Sequence, residues 1–292
     1  MKPDQRSRVR RRWFWYHKFE FLYFRLVRHF VRLKNPRDFF KKHYILHERL
    51  ASNLLFEELF YFDPLTDIGD QLFFIGAFEK AEIEVCNQLI SAPFVVMDIG
   101  GNIGYHSVHF AKLAVNGNVI VFEPSADTRK ILEQNVRPYS NVKIESLALS
   151  STEGEAIFNI ASDNAYSGLK DTKVKTIIRT EMVRTTTLDA YVLDNNLDKI
   201  DFIKIDVEGF EFFVLQGMEV TLKKLRPTLF LEISSNLNQS KESLLSFELL
   251  RNAGYRAHII SNGDLTPIDT LSTKTHNYFF IPEEKDGLHP HG

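Results

Sequence analysis

Carboxylate residues follow three short apolar segments of the sequence, and each stands where a strand is predicted to end. They are Asp98 after residues 94–97, Glu123 after residues 118–122, and Asp206 after residues 199–205. Short apolar runs of this kind predict strands that are buried on both faces, as in a parallel sheet. Ligands of open α/β sheets bind at the carboxyl ends of such strands. If their strands are neighbours, Asp98 and Asp206 flank one crevice, and that crevice is the predicted site.

The loop after the first of these strands has the pattern Asp98-x-Gly100-Gly101-Asn102-x-Gly104. Glycines let the backbone approach a ligand closely and adopt positive φ. A dinucleotide fingerprint would need glycine at position 99, where the chain has isoleucine, and the Lys-Ser/Thr pair of a phosphate loop is missing. A carboxylate here disfavours a pyrophosphate but suits an ammonium or a sulfonium group, and S-adenosylmethionine (SAM) carries both. The pattern predicts a SAM site, and a tight turn without a ligand is the alternative.

The second carboxylate, Glu123, lies 25 residues beyond Asp98 at the end of the next predicted strand. An acid at this place holds the ribose diol in nucleotide-binding α/β folds. A carboxylate can accept hydrogen bonds from both hydroxyls at once. Glu123 is therefore predicted to bind the ribose, although an exposed Glu before Pro124 without a function would fit the local sequence equally well.

The third carboxylate, Asp206, is followed closely by Glu208, and both precede a predicted helix. Methyl transfer from a sulfonium is an in-line displacement, in which the acceptor oxygen must be aligned and lose its proton. We predict that Asp206 positions or deprotonates the acceptor, with Glu208 as the second candidate and Glu232 reaching the acceptor pocket. Two alternatives stay open for Asp206: it holds a divalent metal such as Mg²⁺ that lowers the hydroxyl pKa, or it only caps the helix together with Glu208. His106, one turn beyond the glycine loop, is a further candidate base or an ordinary helix position.

The elements that must position these residues alternate between strands and helices, which predicts an α/β fold. The sheet is predicted to continue with a third strand at residues 142–148 and a fifth at residues 227–233. A terminal hairpin is predicted from residues 255–260 and 276–281. Residues 155–160 and 174–184 predict two further extended segments outside this sequence of strands.

The first 42 residues differ in composition from the rest, because they hold 14 Lys and Arg but only 3 Asp and Glu. Charged residues interrupt every apolar run, so neither a transmembrane helix nor a cleavable signal peptide is predicted. Three interpretations of this basic aromatic segment remain: a helix packed on the domain, an interfacial helix on anionic lipid through residues 8–33, and, least favoured, binding of nucleic acid or another polyanion. We expect a cytoplasmic protein, peripheral to a membrane under the second interpretation.

The domain organisation follows from these patterns. After the basic segment 1–42, residues 43–92 are predicted to form a helical lead-in, because Leu and Ile recur at helical spacing between Ile45 and Leu59. Residues 93–282 form the main domain, and residues 283–292 form a mobile tail. A single cysteine, Cys86, excludes an intramolecular disulfide framework and a thiolate zinc site.

Five motifs together resemble the FkbM family of SAM-dependent methyltransferases. They are DIGGNIG at 98–104, FEP at 122–124, TLD at 187–189, FIKIDVEGFE at 202–211 and LFLE at 229–232. The resemblance covers roughly residues 66–282, and the family usually has Ala where this chain has Gly101. It implies a Rossmann-like class I methyltransferase fold, with a mostly parallel seven-stranded sheet that ends in an antiparallel strand.

The function implied by this resemblance is O-methylation of a hydroxyl on a sugar, glycan, polyketide or related small molecule. Ala148 and its neighbours would then border the adenine. Two alternatives from other classes are a membrane-associated binding protein that kept the fold but lost catalysis, and an NAD-dependent oxidoreductase, against which Ile99 argues.

Overall fold

The computed structural model of the protein describes residues 51–55, 58–63, 65–233, 240–273 and 275–286. The strands within these residues are β1 Ala51–Leu55, β2 Glu58–Phe62, β3 Val95–Ile99, β4 Asn118–Phe122, β5 Val142–Glu145, β6 Leu147–Leu149, β7 Gly154–Ala161, β8 Ile177–Thr186, β9 Phe202–Ile205, β10 Thr228–Glu232, β11 Tyr255–Ser261, β12 Asp264–Ile268 and β13 Asn277–Pro282. The α-helices are α1 Asp67–Phe74, α2 Lys80–Leu89, α3 Tyr105–Leu113, α4 Ala126–Val136, α5 Leu188–Asp194, α6 Glu211–Gln216, α7 Glu219–Lys224 and α8 Lys241–Asn252.

The main sheet has eight strands in the order β12-β11-β13-β10-β9-β3-β4-β5. The five strands from β10 to β5 pair in parallel, whereas β13 runs antiparallel between β10 and β11. The Rossmann-like sheet and its antiparallel closing strand are therefore confirmed. The predicted count of seven strands is wrong by one, because Asn262 and Gly263 form a tight turn with positive φ, and the chain returns at once as β12.

Helices cover both faces of the sheet, as the apolar strands require. Alternate residues of β3 point to opposite faces, so that Met97 packs in one core and Val96 in the other. Helices α5 to α8 contribute to the first core, and α2, α3 and α4 to the second. The central strands β3, β4 and β9 are thus buried from both sides, and their carboxyl ends are fixed relative to one another.

The predicted third strand, residues 142–148, is divided between two sheets. Residues 142–145 form β5 at the edge of the main sheet, and Leu147–Leu149 form β6, which pairs with β8 in a separate three-stranded sheet. Side chains of β6, β7 and β8 pack in a small core of their own. Apolar alternation continues across the break, and periodicity alone does not distinguish one sheet from the other.

The helix predicted between Ile45 and Leu59 is wrong for its described part, which is an antiparallel pair of strands, β1 and β2. Phe60 and Phe62 are buried, and Leu59 is 46% exposed, so the true period is two. Thr66 begins α1, and its hydroxyl accepts a hydrogen bond from the Gly69 N–H at 3.1 Å. The second predicted helix of the lead-in is present as α2.

Three predictions fall wholly or partly outside the described residues: the basic segment 1–42 with its lipid contact through residues 8–33, the start of the lead-in at 43–50, and residues 287–292 of the tail. The described start of that tail is bonded to the domain, since Glu284 pairs with Arg226 and Asp286 with Arg256. Among the helices that the structure describes, none has the length and apolar character needed to cross a bilayer.

One buried amide connects the glycine loop to its surroundings. The side chain of Asn135 on α4 donates to the carbonyls of Tyr61 (2.9 Å) and Ile103 (2.7 Å), and its Oδ1 accepts from the Tyr61 N–H at 2.7 Å. Asn135 is 1% exposed. It therefore ties β2 and the loop after β3 to the same helix.

Replacing Asn135 by Ala should lower the free energy of unfolding by roughly 2–3 kcal/mol, because the N–H and C=O of Tyr61, which are partly buried, and the buried C=O of Ile103 all lose this partner. Urea denaturation measures the change. Gln134→Ala, one residue earlier on the exposed side of α4, is the matched control and should change stability by less than about 0.5 kcal/mol. Equal effects of the two substitutions would contradict this role.

Candidate active site

A pocket opens at the carboxyl edge of the main sheet, and six of the ten residues predicted from the sequence line it. They are Gly100 and Asn102 of the glycine loop, Glu123 after β4, Ala148 of β6, and Asp206 and Glu208 after β9. Strands β3 and β9 are neighbours, as the prediction required, but only Asp206 of the pair lines the pocket, because Asp98 is fully buried. The other four, Asp98, Gly101, Gly104 and Glu232, do not belong to the lining.

Gly100 allows the ends of β3 and β9 to approach each other. It has φ +82°, and a Cβ at this position would lie 1.8 Å from the carbonyl oxygen of Asp206. The backbone that follows the neighbouring strand β9 therefore leaves no room for a side chain at position 100. Gly101 and Gly104 pack instead against Val121 and Leu132. Packing accounts for glycine at those two positions, and their contact with a cofactor stays a prediction.

Glu123 is fixed by backbone N–H groups from two loops. Asn102 donates to its Oε2 at 3.0 Å and Ser125 to its Oε1 at 2.8 Å. Burial raises the pKa of Glu123 to about 8, and these two bonds oppose the shift. The bond from Asn102 also fixes the glycine loop, and Asn164 of the 3₁₀ turn after β7 donates to the Asn102 side chain at 2.7 Å.

Asp98 is buried and only partly hydrogen-bonded. Ser107 on α3 donates to its Oδ2 at 2.6 Å, whereas its Oδ1 has no hydrogen-bond partner. The nearest cation is Lys204, whose Nζ lies 3.9 Å from this Oδ1. A buried carboxylate oxygen without a donor is destabilising unless a ligand supplies one. An ammonium group is the kind of ligand that would do so.

Three acids, Asp206, Glu208 and Glu211, follow β9 between the strand end and the first residue of α6, and each has different surroundings. Asp206 pairs with Lys204 at 2.9 Å. Glu208 has φ +54°, and burial together with the charges of Asp206 and Glu211 raises its pKa to about 9. Burial raises the pKa of Glu211 to about 7, and its Oε1 accepts from the Gly209 N–H at 2.8 Å. The bond to the turn before α6 is therefore made by Glu211, whereas the sequence suggested Asp206 and Glu208 as caps.

A second cluster of polar side chains, Glu232, His106 and Glu79, lies beside these acids, and only part of it was predicted from the sequence. Burial, followed by the charges of Asp206, Glu79 and Glu208, raises the pKa of Glu232 well above its ordinary value. His106, the alternative base, is buried with its Nε2 3.1 Å from Oε2 of Glu79. Burial works against the charge of Glu79, but His106 and Lys204 outweigh it and lower its pKa. Glu79, at the start of α2, has no signal in the sequence beyond its place before an amphipathic helix.

No group of three or more His, Cys, Asp or Glu side chains that could hold a metal ion occurs in the described part of the chain. Oδ2 of Asp206, the predicted magnesium ligand, lies against the Lys204 ammonium. Magnesium dependence stays a prediction of the sequence.

A Rossmann-like sheet with a glycine loop after its first strand, carboxylates at the ends of β4 and β9 and an antiparallel closing strand is the architecture of the class I methyltransferases. Residues 98–257 of the chain match the model of the protein family described as the methyltransferase FkbM domain. The chain belongs to this family of methyltransferases.

Several characterised proteins are similar to parts of the chain. The hexuronic acid methyltransferase AglP of Haloferax volcanii is 30% identical over 132 residues, which is 45% of this chain and 52% of that protein. The 2-O-methyltransferase NoeI of Sinorhizobium fredii is 26% identical over 163 residues, or 50% and 66% of the two chains. The chain therefore spans about half to two thirds of the length of these relatives.

Among solved structures, an FkbM methyltransferase from Methylobacillus flagellatus superposes with a TM-score of 0.45 and 14% identity, covering 75% of this chain and 54% of that one. A TYW2 protein from M. jannaschii in complex with AdoMet superposes with a TM-score of 0.40 and 12% identity, covering 80% and 84%.

Buried carboxyl groups with raised pKa values make stability fall as pH rises. The folded protein keeps a proton on Glu211 up to pH of about 7, whereas the unfolded chain releases it near the ordinary value of 4.5. Between these pH values the folded state binds more protons, so the free energy of unfolding decreases with pH. Glu211→Gln removes this contribution. The variant should lose less stability than the wild type between pH 4.5 and pH 7, by on the order of 3 kcal/mol.

Urea denaturation at several pH values between 4.5 and 8 measures this difference. Glu133→Gln, on the exposed side of α4, is the control and should follow the wild-type curve. Parallel curves for the wild type and Glu211→Gln would show that Glu211 is not held protonated.

Proposed function

We propose that the protein is a SAM-dependent O-methyltransferase whose acceptor is a hydroxyl of a sugar, glycan, polyketide or related small molecule. The observation that carries the proposal is that one pocket contains both halves of such a site. Glu123 and the glycine loop form the cofactor half, and Asp206 and Glu208 form the half that would face an acceptor.

The residues present fit SAM on two independent points. Oδ1 of Asp98 accepts no hydrogen bond and lies 3.9 Å from the Lys204 ammonium, so it keeps an acceptor site that suits the methionine ammonium. In its ionised form Glu123 offers about four lone-pair sites, of which Asn102 and Ser125 use two, so two remain for a ribose diol. Hydrogen bonds from two ribose hydroxyls would favour this ionised form against the burial that raises the pKa of Glu123 to about 8. Ala148, with apolar neighbours on β6 and Phe158 on β7, would border the adenine. When bound, SAM supplies an electrophilic methyl group on a sulfonium.

The chain's own contribution to the reaction is to orient the acceptor hydroxyl and take its proton. Asp206 suits this task because its ion pair with Lys204 holds the carboxylate in one place at the pocket wall. Glu208, with its pKa near 9, holds a proton at neutral pH and acts as a hydrogen-bond donor to a second oxygen of the acceptor. Glu232 is not part of this wall, and its contact with the acceptor stays a prediction. A polyhydroxylated acceptor offers several oxygens for such a set of donors and acceptors.

The names of the relatives support the acceptor class, since one acts on a hexuronic acid and another is a 2-O-methyltransferase. Against an NAD-dependent oxidoreductase stands the glycine loop itself, because Ile99 interrupts the dinucleotide fingerprint. A binding protein without catalysis differs from an enzyme in turnover alone, and the second experiment below distinguishes the two.

Glu123→Ala should weaken SAM binding at least about tenfold, because one charge-assisted bond to a hydroxyl contributes roughly 1.5–3 kcal/mol. Isothermal titration calorimetry with SAM measures the dissociation constant. Glu145→Ala is the matched control: Glu145 ends the neighbouring strand β5 but bonds to Lys143 and Tyr191 outside the pocket lining. Its affinity should match that of the wild type, and equal affinity in a folded Glu123→Ala protein would remove Glu123 from the site.

Asp206→Asn should reduce methyl transfer by at least about a hundredfold, since general-base catalysis contributes roughly 10²–10⁴-fold. Transfer of labelled methyl from SAM to a panel of sugars, uronic acids and polyketide alcohols, with and without magnesium, measures the rate. Glu208→Gln keeps a donor and should lose much less activity. SAM binding without transfer to any of these acceptors by the wild type would favour the binding protein.

A further inference from the structure

Lys204 is a buried cation that lies between the two halves of the site. It is 3% exposed on the central strand β9. Its Nζ lies 2.9 Å from Oδ2 of Asp206 and 3.9 Å from Oδ1 of Asp98. In the parallel register Lys204 stands directly beside Asp98, so the two side chains share one face of the sheet. One ammonium group thus contacts both the cofactor carboxylate and the acceptor carboxylate.

The charge of Lys204 depends on these neighbours. Burial alone works against the ammonium form, but Asp206, Asp98 and Glu79 outweigh it and raise the pKa of Lys204. The dependence is mutual, because two carboxylates on adjacent strands repel each other in a buried site unless a cation lies between them. Removing one member of such a group leaves an uncompensated buried charge.

We propose that Lys204 is a positioning residue, whose ammonium holds Asp98 and Asp206 at a fixed separation so that one binds the cofactor and the other faces the acceptor. This role rests on the proposed function. It goes beyond that function because Lys204 does not line the pocket, yet in this proposal it couples the two halves of the site.

The same strand offers a matched comparison. Lys199 and Asp201 repeat the Lys-x-Asp spacing just before β9, with Nζ 3.2 Å from Oδ2 of Asp201. The Lys199 side chain is 48% exposed, so water screens this pair. Lys199→Met therefore removes a Lys–Asp pair whose cation is exposed, and the 16% exposed Asp201 keeps the hydrogen bond that it accepts from the Val95 N–H at 2.8 Å.

The test is a double-mutant cycle of Lys204→Met and Asp206→Asn, with Lys199→Met as control. S-adenosylhomocysteine is the probe, so that no acceptor is needed, and calorimetry measures its affinity while urea denaturation measures stability. Lys204→Met alone should weaken binding at least about tenfold. In the Asp206→Asn background the same substitution should weaken it by less than about threefold, because the repulsion on Asp98 is already gone. Lys199→Met should bind as the wild type does.

Equal losses in the two backgrounds would mean that Lys204 only fills space, and would overturn the proposal. If Lys204→Met does not fold but the double variant does, relief by Asp206→Asn supports the coupling, whereas failure of both to fold contradicts it. A wild type that binds neither SAM nor S-adenosylhomocysteine would refute the proposed function separately. The cycle in unfolding free energy then still decides whether Lys204 acts through Asp206.

Discussion

The parallel pairing of β3 with β9 is the constraint on which the site depends. It places Asp98 beside Lys204 and brings the glycine loop against the backbone of Asp206, so closely that position 100 has no room for a side chain. Helices on both faces bury the two strands and fix their relative position. Apart from Ala148 on β6, every group assigned to the cofactor or the acceptor is attached to one of these two strand ends or to the adjacent end of β4 or β10.

This arrangement gathers several acids, most of them buried, at one edge of the sheet, and their charges are balanced in several ways. Lys204 compensates Asp98 and Asp206, and the His106 ring lies against Glu79, with Nε2 3.1 Å from Oε2. Burial raises the pKa values of Glu208, Glu211 and Glu232, to about 9 for Glu208 and about 7 for Glu211. Perturbed pKa values of this kind cluster at functional sites. Burying an acid costs stability, and such a cost is retained where the reaction requires the acid.

The sequence predicted the strands that are apolar on both faces, and with them the three carboxylates at their ends, because strand ends in a parallel sheet meet at one edge. The prediction from sequence was wrong where one spacing of apolar residues is compatible with two different structures. Leucines at helical spacing hid the alternation of Phe60 and Phe62 in β2, and continuous alternation hid the break between β5 and β6. Contacts made by long-range folding left no local signal, and these include Glu79 beside His106 and Asn164 on Asn102.

The surroundings of Gly101 show that packing against the sheet helps to determine the shape of the glycine loop. The family pattern usually has Ala here, yet a Cβ at this position would lie 2.2 Å from Cγ1 of Val121, a fully buried residue of β4. A glycine on the loop and a valine on the neighbouring strand therefore fit as a pair, and an alanine at 101 requires the Val121 side chain to move. The loop keeps its position by packing against β4, which also ends in Glu123. The strand that supports the loop is thus followed directly by the predicted ribose ligand. The packing of Val121 and the hydrogen bond from the Asn102 N–H to Glu123 together set the distance between these two parts of the proposed cofactor site.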